Sequence, residues 1–143
     1  MKKTIIFPVL LLFFVAGCSS KSSPQTGVNG SDGGAIITIT ATPRQGFAPL
    51  RISFRGELEG VEPNNEEYYC LQEEWDFGDG AISSEKPNCD PFSPDSRVKK
   101  EFYADHVYDT AGNFTVRLVL GDEKVRSRQI SVVIVDRDRG YNE

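Results

Sequence analysis

The sequence predicts an all-β domain: an antiparallel two-layer β-sandwich of about seven strands. Three observations lead there. Short runs alternate apolar and polar residues without a break, as in Leu50-Arg51-Ile52-Ser53-Phe54-Arg55. Gly, Pro, Asn and Asp recur between those runs, where a chain must reverse. No stretch after the N-terminal segment repeats its apolar residues at the helical period.

The elements follow in order. Lys2 and Lys3 precede an apolar run of about twelve residues, Ile5 to Ala16, broken by Pro8. That run is too short to span a bilayer and has the charge pattern of an export signal. It ends in Val15-Ala16-Gly17-Cys18, which resembles the lipobox of bacterial lipoproteins. The resemblance implies cleavage before Cys18 and acylation of Cys18, so residues 1–17 are read as a lipoprotein signal peptide. Acyl chains contribute about 0.8 kcal/mol per buried CH₂, so several of them hold a protein on a bilayer without a transmembrane helix. The expected place is the bacterial envelope, on the outer membrane where one exists. Residues 18–34 form the lipidated Cys and a tether of Ser, Gly, Pro, Asn and Gln. With few apolar side chains it cannot offset the entropy of ordering. As a coil it spans roughly 20–25 Å.

Residues 35–136 are read as the folded domain. Ala35–Thr42 is rich in β-branched residues and is the first strand. Pro43–Pro49 turns, and Leu50–Arg55 is a half-buried strand with Leu50, Ile52 and Phe54 inward. Gly60–Glu67 is an acidic loop. Tyr69–Phe77 is a strand with Tyr69, Leu71, Trp75 and Phe77 on one face and Glu73 as the misfit among them. Gly78-Asp79-Gly80 is a tight turn, because glycine tolerates positive φ and aspartate bonds its own backbone. Ala81–Ser84 returns, and Lys86–Ser96, with three prolines, is a loop. Lys99–Tyr108, Phe114–Leu120 and Arg126–Val135 complete the sheets. Residues 137–143 are a charged tail.

Three groups carry a family resemblance: Gly46…Ala48-Pro49-Leu50, then Trp75-Asp76-Phe77-Gly78-Asp79-Gly80, then His106-Val107-Tyr108…Ala111-Gly112-Asn113-Phe114-Thr115-Val116. Together they resemble the polycystic-kidney-disease (PKD) domain over Ile36 to Val135. The Lys86–Ser96 loop is longer than that pattern and carries a Cys, and Ala111 stands where Pro is common. The resemblance implies an extracytoplasmic, immunoglobulin-like module for protein or carbohydrate contacts, or a spacer, with no catalytic role of its own.

Charge and chemistry agree with a binding role. The chain carries a formal −5, and without Lys2 and Lys3 it has 14 basic against 21 acidic side chains. The one basic cluster, Arg117, Arg126 and Arg128, sits on a mixed surface, so nucleic acid is excluded as a partner. With Cys18 assigned to lipid, Cys70 and Cys89 remain in an oxidising setting and are expected to pair, pinning the Lys86–Ser96 loop. Closing about twenty residues contributes on the order of 3 kcal/mol in the chain-entropy model. His106, the single histidine, has neither a nucleophile nor an orienting acid beside it on its own face. It reads as a structural ring at the Trp75 corner. Asp76 and Asp79 are weak candidates for Ca²⁺ ligands, the structural alternative being that they cap the turn. No cofactor is expected. Tyr68, Phe92 and Tyr103 are the candidate binding surface. The partner is therefore expected to be an envelope protein. A polysaccharide is the alternative, bound as by a carbohydrate-binding module, and a Ca-stabilised adhesion module is a further one.

Overall fold

The computed structural model describes residues 34–137 as two packed β-sheets. Nine strands follow in order: β1 (Ile36–Thr42), β2 (Gln45–Phe47), β3 (Leu50–Glu59), β4 (Glu73–Asp76), β5 (Ile82–Glu85), β6 (Glu101–Tyr108), β7 (Gly112–Leu120), β8 (Val125–Arg126) and β9 (Ile130–Val135). One sheet runs β1-β3-β6 and the other β2-β9-β7-β4-β5, with β8 paired to β7. All pairings are antiparallel except β2 with β9, which is parallel. The first edge of the chain is thus shared out: β1 joins one sheet and β2 the other, with Pro43 between them. The expected signal peptide, the expected lipidation at Cys18, the expected tether up to residue 33 and the expected tail from residue 138 lie outside the described residues. Among the described residues no helix is long and apolar enough to cross a membrane.

The alternating strands behave as their period requires. Ile37, Ile39 and Ala41 of β1 are buried, as are Ile52 and Phe54 of β3, Phe102 and Tyr108 of β6, Val116, Leu118 and Leu120 of β7, and Val132 and Ile134 of β9. Trp75 of β4 lies at their centre, 1 % exposed, with the Phe54 ring 5.9 Å away. Its indole N–H has no hydrogen-bond partner among the described residues. That omission costs about 1–3 kcal/mol. Burying the 150–250 Å² of such a ring returns about 4–6 kcal/mol, so the hydrophobic term wins.

Four expectations are corrected. The strand expected over Tyr69–Phe77 is regular only from Glu73. Cys70 has φ 58°, a left-handed turn that breaks the alternation and separates Tyr69 from the inward face. Glu73 shares the buried face with Trp75 as the misfit expected there, and its Oε2 accepts from Lys99 Nζ at 2.7 Å. The last expected strand divides at Ser127, whose N–H donates to the Leu118 carbonyl and whose Oγ accepts from the Leu118 N–H, both at 2.9 Å. Finally, β3 runs four residues past Arg55, through Gly56, and β2 forms inside the expected turn.

Gly56 explains why the long strand is needed. It faces the core, and a Cβ built there would stand 2.4 Å from Leu118 Cδ2 and 3.6 Å from the Trp75 ring. Leu118 is fully buried and cannot swing away. We therefore expect Gly56→Ala to destabilise the fold by about 1–3 kcal/mol through overpacking. Urea unfolding followed by Trp75 fluorescence measures this, and an unchanged midpoint would contradict the packing described.

Candidate functional site

Trp75-Asp76-Phe77-Gly78-Asp79-Gly80 closes the hairpin between β4 and β5. The Phe77 N–H donates to the Ala81 carbonyl at 3.2 Å. Gly78 has φ 81°, and a Cβ on it would meet the Thr115 carbonyl oxygen at 2.5 Å. Only glycine permits both that conformation and that approach to β7.

Every carboxylate oxygen at the corner has a partner. Asp76 Oδ1 accepts from the Gly78 N–H at 3.0 Å, and its Oδ2 accepts from Arg117 at 3.1 Å. Asp79 Oδ1 accepts from the Ala81 N–H at 3.0 Å, and its Oδ2 lies 2.6 Å from His106 Nε2. An ionised carboxylate can only accept, so the ring nitrogen donates. The two side chains thus cap the turn and tie it to β7 and β6. A cation site built on them would have to displace the Arg117 guanidinium and the imidazole. Among the described residues no group of three or more His, Cys, Asp and Glu is arranged to hold a metal ion.

His106 and Tyr108 reach the corner from β6, in the opposite sheet. The His106 ring stacks on Phe77 with centroids 4.2 Å apart and planes within 4°. It meets Tyr108 edge-on at 4.7 Å, and Tyr108 in turn stacks on Phe114 at 4.7 Å. Gly112 leaves room for the Phe114 ring, which a Cβ there would meet at 2.7 Å. The buried Tyr108 hydroxyl donates to the Phe77 carbonyl at 2.8 Å. Burial, helped by the nearby charges of Asp79 and Asp76, pushes this phenol well above its usual range, so it stays a donor. Asp105, next in sequence to His106, points away and accepts from Ser53 at 2.5 Å. Among the described residues no nucleophile–base–acid relay forms around the ring.

The second feature is the loop before β6. Cys70 and Cys89 are joined, with Cα atoms 6.1 Å apart, as the cysteine count suggested. Because Cys70 lies in a turn rather than on a strand face, the bridge holds the loop to the β4 approach and not to the outer surface of a sheet. Tyr69 supports the same loop: its hydroxyl donates to the Asp90 carbonyl at 3.1 Å and its ring meets Phe92 edge-on at 5.4 Å. Behind the bridge is a cavity of about 90 Å³ lined by Tyr68, Leu71, Pro87, Arg97, Lys99 and Phe102, among others.

The three candidate rings are not gathered. Tyr68 ends a single 3₁₀ turn (Glu66–Tyr68), is half-buried against the core and has Lys124 Nζ 5.2 Å above its ring. Phe92 is half-buried against Tyr69. Tyr103 alone is openly exposed, on the outer face of the β1-β3-β6 sheet, where its hydroxyl donates to Glu101 at 2.7 Å. Arg55 bonds the same Glu101 at 2.5 Å, and these two hydrogen bonds hold its carboxyl below the usual range. Among the described residues no ring contact joins the three. Sequence reasoning missed Arg117 as the partner of Asp76; the register that sets it opposite, Asp76 with Arg117, has no local signature.

The family model of the PKD domain matches residues 57–135, more than half of the chain, and the protein belongs to the PKD domain family. The match begins within β3; β1 and β2 precede it and complete the same sandwich. The chain is similar in structure to the PKD domain of an M14-like peptidase from Thermoplasmatales archaeon SCGC AB-540-F20. The two are 17 % identical over 69 % of this chain and 92 % of that one, with a TM-score of 0.48. No curated protein matches the chain. PKD domains are extracellular interaction modules, and that character comes with the family.

Asp79 gives a pH test. Burial pushes its carboxyl up, but the His106 hydrogen bond, the Ala81 N–H and the charge of the ring outweigh that, and the net pKa is lowered. A lowered native pKa stabilises the fold fully above the unfolded value near 4, and the effect is lost as pH falls through the native value. Asp79→Asn keeps the shape and removes the charge. It should cost about 1–3 kcal/mol at pH 7, with the gap to wild type closing below about pH 4. Thermal midpoints over a pH series read this; a gap that stays constant to pH 2 would refute the assigned role.

Proposed function

We propose that this protein is a non-catalytic module held on the bacterial envelope by acyl chains on Cys18, and that it works by binding an envelope protein. The observation that carries the non-catalytic part is the corner itself. His106, Asp79, Asp76 and Tyr108 are the groups with chemistry to offer, and each has a hydrogen-bond partner inside the fold. The lipobox-like Val15-Ala16-Gly17-Cys18 and the lysines before it support the anchor. The Cys70–Cys89 bridge supports an oxidising compartment. The loop that this bridge and Tyr69 hold in place is the surface offered to the partner. Its backbone is restrained in advance, so less ordering entropy is lost on contact.

Cys18→Ser tests the anchor. The wild-type chain should fractionate with membranes and incorporate labelled palmitate. The variant should lose the label, staying with membranes only where its apolar leader is uncleaved and moving to the soluble fraction where the domain is released. Equal membrane association and labelling in the two would overturn the reading.

A further inference from the structure

An edge strand leaves backbone N–H and C=O groups free to pair with another chain, and proteins blunt such edges with charge, proline or brevity. Among the described residues five strands lie at edges, and four are blunted, β8 by its length of two residues. β2 has three residues and stands between Pro43 and Pro49, β5 has four and ends in Glu85, and β6 carries the outward carboxylates Glu101 and Asp105. β1 is different. Its seven residues, Ile36-Ile37-Thr38-Ile39-Thr40-Ala41-Thr42, include no charge and no proline. Across from it stands the segment that leads into β9 of the opposite sheet. A groove of about 440 Å³ runs between them, lined by Ile36 to Ile39 on one side and by Arg128, Gln129 and Ile130 on the other. Ile36, at its lip, is 58 % exposed.

We propose that the free edge of β1 pairs with β1 of a second copy of this chain, antiparallel, about a two-fold axis at Ile39. Two three-stranded sheets then become one of six strands. The residue pattern is self-complementary in that register. Ile39 faces its own mate, Thr38 faces Thr40, Ile37 faces Ala41, and Ile36 faces Thr42. Odd positions meet odd ones, so Ile37, Ile39 and Ala41 stay in their own cores and the threonines stay outside. Threonine pairs and β-branched pairs are favourable cross-strand neighbours. β6, with eight residues, cannot overlap its two-fold mate fully without setting inward residues against outward ones.

The rows across the joined sheet also agree in charge. Thr40 lies beside Arg55 and then Tyr103, whereas Thr38 lies beside Glu57 and then Glu101. Arg55 is paired with Glu57 and Glu101 of its own chain, so the joined rows set no like charges side by side. One strand pair alone buries less than the ~1,200 Å² of a durable interface, so the dimer is reversible and has to be trapped. The pairing goes beyond the anchored-module reading and does not depend on it, because the trap is read in whichever cell fraction holds the chain.

Full-length chains bearing Thr38→Cys or Thr40→Cys, each with its own tag, are produced together and oxidised in intact cells. The mixed disulfide dimer is expected several-fold above the dimer from either variant alone. It is also expected several-fold above that from Thr115→Cys, an exposed position on the outer face of the other sheet. The thermal midpoint of each variant should match wild type, since Thr38, Thr40 and Thr115 are exposed. A mixed dimer no more abundant than the Thr115→Cys control, in variants with unchanged midpoints, overturns the proposal. So does capture by Thr38→Cys of a protein of a different mass in place of the second copy.

Discussion

One buried hydrogen bond ties the two layers together: the Tyr108 hydroxyl of β6 on the Phe77 carbonyl, 2.8 Å away at the end of β4. Antibody domains pin their sheets with a disulfide. Here the same task falls to a phenol and an imidazole two residues apart on one strand, both reaching the hairpin of the opposite sheet. His106 adds the Asp79 contact and a stacked ring; Tyr108 adds the carbonyl. A carbonyl so placed would be costly to leave unpaired, and the phenol is kept protonated by the burial that makes the bond necessary. The polar groups that give the corner its chemical appearance are therefore consumed in holding its shape.

Around that tie the core is organised by size. Trp75 is the largest side chain in it, and the opposite strand yields a glycine, Gly56, to admit the ring and Leu118. Glu73, two residues before Trp75, would be a buried charge but for Lys99, which arrives from the segment leading into β6. Lys99 also lies 4.9 Å from the Phe102 ring centre, so one ammonium serves both the carboxylate and an aromatic face.

What could be read in the chain was whatever is local and periodic. The two-layer β architecture, the inward residues of β3 and β7, and the Gly78–Gly80 turn all follow from alternation and turn chemistry. The family resemblance rests on the same residues. The misses share another cause. β2 is three residues long and is held by a parallel partner at the far end of the chain, so no period announces it. The left-handed turn at Cys70 has no marker in a cysteine, and it moved Tyr68 and Tyr69 off their expected sides. The partners of Asp76 and Asp79, namely Arg117 and His106, lie 41 and 27 residues away. Residue type suggested that these carboxylates cap a turn; only the register of distant strands could say what else they hold.

The placement of the Cys70–Cys89 bridge bears on how the chain meets proteases. Lys86 is exposed and lies inside the ring that the bridge closes. A cut after Lys86 would open the backbone yet leave both fragments covalently joined, with the bond between them surviving until a reductant arrives. A cut after exposed Arg97 falls outside that ring, and there only strand pairing and core contacts keep the pieces together. Nicked chains of equal length could thus persist as one molecule or part into two, according to which side of Cys89 was severed.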